Sequence, residues 1–134
     1  ADILKKHKVK FVSCINSLGD GLIIDPKKER VVIKPKNGFG GIGGDYIKPT
    51  ALANTRRFYE LLDGKVDVIG VGGIKNGIDA FEFILAGASA VQVGTEFMRT
   101  GQTCFGKIDK ELKEYMKKKG YTKIEDFKGK LKTL

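Results

Sequence analysis

Two strand-to-glycine junctions carry the most chemistry in this sequence. Val66 to Val71 is nearly continuous and β-branched, as a parallel strand covered on both faces should be, and runs straight into Gly72-Gly73. Ala90 to Val93 reads as a second strand and ends at Gly94-Thr95. Glycines at the ends of neighbouring parallel strands leave backbone N–H groups bare, and bare N–H groups bind phosphate. In a (β/α)8 barrel the loops after strands 7 and 8 commonly form such a site. The spacing fits a phosphate-bearing cofactor. It fits two tight turns without a ligand equally well.

Other residues bear on chemistry less directly. Asn16-Ser17 follows the strand Val9 to Ile15, placing an amide and a hydroxyl where parallel sheets bind ligands, although Asn and Ser also begin turns. Asn37 to Tyr46 (NGFGGIGGDY) holds five glycines between Gly38 and Gly44, and ordering such a loop costs much conformational entropy. That cost suggests close backbone approach to something flat or anionic. No Gly-Lys-Ser/Thr follows, so it is not a Walker loop, and it leads into Lys48-Pro49 rather than directly into a helix, so it is not a dinucleotide fingerprint. Cys14 and Cys104 lie too far apart for a disulfide framework or metal motif and read as small buried residues. His7, among lysines, reads as a solvated surface residue. No metal site is expected.

The elements that must position these residues follow from periodicity. Residues 1–8 read as the end of an amphipathic helix. The segments GLIID and RVVIK, around Pro26-Lys27-Lys28-Glu29, read as a β-hairpin inserted at the ligand end of the sheet. A helix from Pro49-Thr50 to about Leu62 turns Leu52, Phe58, Leu61 and Leu62 inward and stops at Asp63-Gly64. A short helix carries Phe81, Ile84 and Leu85. A long one spans Thr103 to Lys119, with Phe105, Ile108, Leu112, Tyr115 and Met116 on one stripe and Gly120 as its cap. After it comes a short connector with another helical turn or two. Three βα units in series predict an α/β fold with a parallel sheet. Three strands cannot close a barrel, and an open sheet of three would expose apolar edges, so the chain reads as part of a larger barrel.

Its 134 residues suit a single domain, and no apolar run approaches the roughly 20 residues of a membrane helix. The N-terminal residues lack a signal-peptide core, which predicts a cytoplasmic protein with no membrane partner. The net charge of +9 raises the question of nucleic acid. Between Phe105 and Leu134, however, ten lysines alternate with five acids and with apolar residues at helical spacing, the pattern of a solvated helix face. No nucleic-acid motif appears, and no such partner is expected.

FVSCINSLGDGLIID, VVIKPKNGFGGIGGDYIKPTALANTRRFY, IGVGGIKNGIDAFEFILAGASAVQVGT and the closing KGYTKIEDFKGKLKTL together resemble the C-terminal portion of the class 1A, fumarate-dependent dihydroorotate dehydrogenases. The resemblance runs through essentially all of the chain, and GFGGIGG leading into YIKPTALAN matches class 1A in particular. It implies that residues 1–134 are the C-terminal part of one FMN-binding (β/α)8 TIM barrel, about three βα units plus the hairpin, with the N-terminal part outside this chain. It implies FMN as cofactor, held by Ile15, Gly43, Gly44, Gly72, Gly73, Gly94 and Thr95, and dihydroorotate or orotate contacted by Asn16 and Ser17. An amide suits the imide edge of orotate because it both donates and accepts. In the family a cysteine takes the C5 proton, the C6 hydride goes to the flavin, and fumarate then accepts the electrons, in the pyrimidine (UMP) pathway.

The resemblance places that catalytic cysteine in the N-terminal half, and neither Cys14 nor Cys104 matches its loop. The chain alone is therefore expected to be inactive, with the missing barrel portion and a second copy in a homodimer as its partners. The alternative reading is a half-barrel module that binds a phosphate-bearing ligand without catalysis.

Overall fold

The computed structural model describes residues 1–134. A short helix, α1 (Asp2–Lys6), leads into β1 (Phe11–Cys14). Four short strands follow: β2 (Leu18–Leu22), β3 (Ile24–Asp25), β4 (Arg30–Val31) and β5 (Phe39–Ile42). Then come α2 (Lys48–Leu62), β6 (Asp67–Val71), α3 (Gly77–Ala86), β7 (Ala90–Gln92), α4 (Thr95–Thr100) and α5 (Thr103–Lys119).

The organising layer is a parallel sheet in the order β1-β6-β7, with β6 in the middle. The molecule is thus α/β with a parallel sheet, as the sequence predicts. Val68 of β6 is fully buried beside Leu62, and the glycine at position 70 leaves room for the Phe83 ring of α3. Burying each such large apolar side chain contributes about 1.5–3 kcal/mol. Asn76 caps α3 by accepting from the Asp79 N–H, while the Asp79 carboxylate accepts from the Asn76 N–H. That capping box fixes where the helix begins after the glycine turn. Gly120, left-handed, ends α5 where expected.

Several expectations shift. The first strand is Phe11–Cys14 rather than Val9–Ile15, the last ends at Gln92 rather than Val93, and α2 starts at Lys48. The hairpin is present but short: Ile24–Asp25 pairs with Arg30–Val31, the Val32 N–H donates to the Ile23 carbonyl, and the Asp25 carboxylate accepts from the Lys27 and Lys28 amides across its turn. The glycine-rich segment is not simply a loop. Phe39–Ile42 pairs antiparallel with β2, and Gly40 and Gly41 give room to the chain's own Ile33 and Ser17 side chains. Glycine-rich sequence hid this strand because β propensity rests on side chains that glycine lacks. Leu61 is 50% exposed, since Leu62, one helical step of 100° away, holds the inward position. Phe105 is also half exposed and packs on Phe97 of the unforeseen α4, ring centroids 5.7 Å apart.

The tail is more than a connector. Phe127 is fully buried, stacked 4.4 Å from Phe81 and 5.1 Å from Tyr121. The Gly129 N–H donates to the Ile84 carbonyl, and the Arg56 guanidinium donates to the Gly129 carbonyl. These contacts clamp the tail across α2 and α3. No helix is long and apolar enough to cross a membrane.

Candidate functional site

The turns at the C-terminal ends of β1, β6 and β7 and the segment after β5 converge on one cavity of about 270 Å³. Ile15, Asn16 and Ser17 enter from β1, Gly43 and Gly44 from β5, Gly72 and Gly73 from β6, and Gly94 and Thr95 from β7. All nine residues singled out in the sequence line it. Ligand sites at the carboxyl ends of parallel strands are the rule for such sheets.

Contacts behind this wall are close. A methyl at Gly72 would sit 2.6 Å from the Ala51 Cβ. One at Gly73, where φ is +74°, would lie 2.8 Å from the Lys48 Cβ and 2.9 Å from the Gly44 carbonyl oxygen. The turn after β6 therefore rests directly on the turn after β5. Thr95 lies against Gly43 and Gly44 from the third side. The amides of Gly72, Gly73, Gly94 and Thr95 donate to no acceptor within the chain, and no side chain caps α4. Four uncommitted backbone donors thus belong to residues of one cavity wall.

Charged residues on the wall are paired. Lys75 bonds Asp45 at 2.8 Å, and Arg99 lies 3.9 Å from Glu96. The Lys75 hydrogen bond holds the Asp45 carboxyl below its ordinary range, and Asp45 raises Lys75 in turn. Lys75 is hydrogen-bonded to Asp45, whereas Arg99 stands beyond hydrogen-bond reach of Glu96, so its guanidinium, the Asn16 amide and the glycine-turn amides are the donors this wall offers an anion. Behind the wall, Lys48 is shared by Asp79 and Glu82. Burial works against its charge, but the hydrogen bonds and charges of those two carboxylates outweigh burial and raise its pKa above 10.5.

Asn16 Oδ1 accepts from the Ser17 N–H at 2.7 Å, whereas its amide nitrogen has no partner in the chain. In this arrangement Asn16 offers a ligand chiefly donors, where the sequence suggested a donor and an acceptor alike. Cys14 and Cys104 are free, buried and absent from the cavity wall. Burial pushes the Cys14 thiol up, so it is protonated at neutral pH. Sequence reading missed Asp45, Lys75, Glu96 and Arg99, which no motif separates from the many other charges. Asp79 was findable, because Asn76-x-x-Asp79 has the capping-box spacing.

The dihydroorotate dehydrogenase family model matches residues 1–116. The chain is 57% identical, over its whole length, to a dihydroorotate dehydrogenase (fumarate) of Kluyveromyces lactis and to one of Saccharomyces cerevisiae, covering 42% and 43% of them. It therefore spans about two fifths of the length of these curated relatives. The crystal structure of ligand-free DHODH from Eimeria tenella superposes with a TM-score of 0.78 at 27% identity, over 97% of this chain and 34% of that one. Family model, relatives and fold converge, and this chain belongs to the dihydroorotate dehydrogenase family.

Proposed function

We propose that this chain is the C-terminal part of a (β/α)8 barrel in a fumarate-dependent dihydroorotate dehydrogenase, where it holds the phosphate end of FMN and one wall of the pyrimidine site. The observation that carries the reading is the meeting of three glycine turns around four amides with no partner in the chain. Backbone donors on a glycine cradle fit a phosphate group, and Arg99, 3.9 Å from Glu96 and not hydrogen-bonded to it, adds a cation on the same wall. The cavity, at about 270 Å³, is just below the range of roughly 300–1,000 Å³ for complete ligand sites. That size suits one part of an FMN site whose remainder comes from the other strands of the barrel.

FMN would supply the redox chemistry between dihydroorotate and fumarate. The chain's own residues bind and orient. Gly72, Gly73, Gly94 and Thr95 hold the phosphate, Gly43, Gly44 and Ile15 border the flavin, and Asn16 with Ser17 orients the pyrimidine. On the family resemblance the base that takes the substrate proton is a cysteine of the N-terminal half; Cys14 and Cys104 are both buried and off the cavity wall. The full enzyme belongs to pyrimidine biosynthesis, works in the cytoplasm and pairs as a homodimer on this reading. Purified with the remainder of its barrel, the protein should be yellow and convert dihydroorotate to orotate with fumarate as acceptor. A colourless preparation without turnover would favour the non-catalytic phosphate-binding module.

A further inference from the structure

Asp79 lies outside the cavity wall, yet its carboxylate reaches both turns that form it. The side chain is 5% exposed. One oxygen accepts from the Lys75 N–H at 3.0 Å and the Asn76 N–H at 3.2 Å, fixing the backbone immediately after Gly72-Gly73-Ile74. The other oxygen takes the ammonium of Lys48, the first residue of α2, which directly follows the turn carrying Gly43 and Gly44. These two turns come from different strands and touch at Gly73, where neither has space to spare. This buried carboxylate therefore ties one glycine turn to the other, beneath the more exposed Lys75–Asp45 pair that bridges the same two turns. We infer that Asp79 is a positioning residue for the phosphate end of the site, aligning the Gly72 and Gly73 amides through the Lys75-Asn76 backbone and registering them against Gly43-Gly44 through Lys48.

This inference rests on the FMN reading above, so its test needs a matched control and a readout without ligand. Asp126 supplies the control. Its carboxylate accepts from the Thr122 and Lys123 amides at 2.8 and 3.0 Å in the same kind of turn, in the tail and away from the cavity. Asp79→Asn and Asp126→Asn are compared in the full protein for melting temperature, for FMN dissociation constant by flavin fluorescence, and for amide exchange at residues 43–48 and 72–77. Expected is an FMN affinity loss of tenfold or more in Asp79→Asn and less than twofold in Asp126→Asn, with faster exchange in both segments only in the former. Equal FMN affinities in the two variants would overturn the inference. If the unmutated protein binds no FMN, the functional reading falls and exchange alone decides: selective loosening of the two segments upholds the positioning role, and unchanged exchange removes it. Should Asp79→Asn fail to fold, Lys48→Met, which keeps both backbone bonds of Asp79, must show the same affinity loss and loosening at 43–48, and wild-type behaviour there would overturn the inference.

Discussion

At Gly73 a single methyl group decides the geometry of the cavity. The backbone there is left-handed at φ +74°, which costs an L-residue about 1–2 kcal/mol, and the added Cβ would press on Lys48 and the Gly44 carbonyl. Gly64 has the same left-handed backbone at φ +68° with nothing within 4 Å. Gly73→Ala and Gly64→Ala should therefore both lower the melting temperature, but only Gly73→Ala should weaken FMN binding, by at least tenfold in a fluorescence titration. Equal FMN affinity in the two variants would detach Gly73 from the site. At this scale the sequence was legible wherever backbone chemistry leaves a mark. Glycine pairs after strands are visible in one dimension, and Asn16-Ser17 stands out as polar residues ending an apolar strand. The wall charges were not legible, because Lys75 and Arg99 differ from other basic residues only in what they face. That Asn16 turns its carbonyl oxygen to Ser17 is a matter of local torsion, which spacing does not encode.

Helices and the parallel strands were the elements easiest to foresee, because their burial follows a fixed period. The strand Phe39–Ile42 and the short helix Thr95–Thr100 were missed for opposite reasons. The first is half glycine, so alternating side chains do not mark it, while the second is too short for periodicity to register. The tail was underestimated because two aromatic residues six positions apart in a lysine-rich stretch give no periodic signal. Phe127 nevertheless fills the space between Phe81 and Tyr121 and anchors everything after α5. Phe127→Ala should lower stability by about 3–5 kcal/mol, the usual cost of emptying a buried aromatic site. Chemical denaturation of the variant checks this, and a loss below about 1 kcal/mol would mean that the tail is not integral to the fold. Its effect on FMN affinity should be small, since no tail residue borders the cavity.

For the molecule as a whole, an incomplete sheet governs the outlook. β1 and β7 are both edge strands, and Phe11 on β1 is 58% exposed. Unpaired edges of this kind call for partner strands, and the curated relatives have more than half of their length beyond what this chain covers. The α/β class was legible from the βα rhythm, and the family from long stretches of ordered motifs. On the proposed barrel reading, the strands that would flank β1 and β7 lie outside these residues and so were not legible. The central claim is that backbone amides of this chain hold a phosphate on a flavin. It is tested most directly by titrating the purified protein with FMN and, in parallel, with riboflavin, which has the same ring and ribityl chain without the phosphate. FMN should bind at least tenfold more tightly than riboflavin, whereas equal affinities, or no binding of either, would contradict the claim.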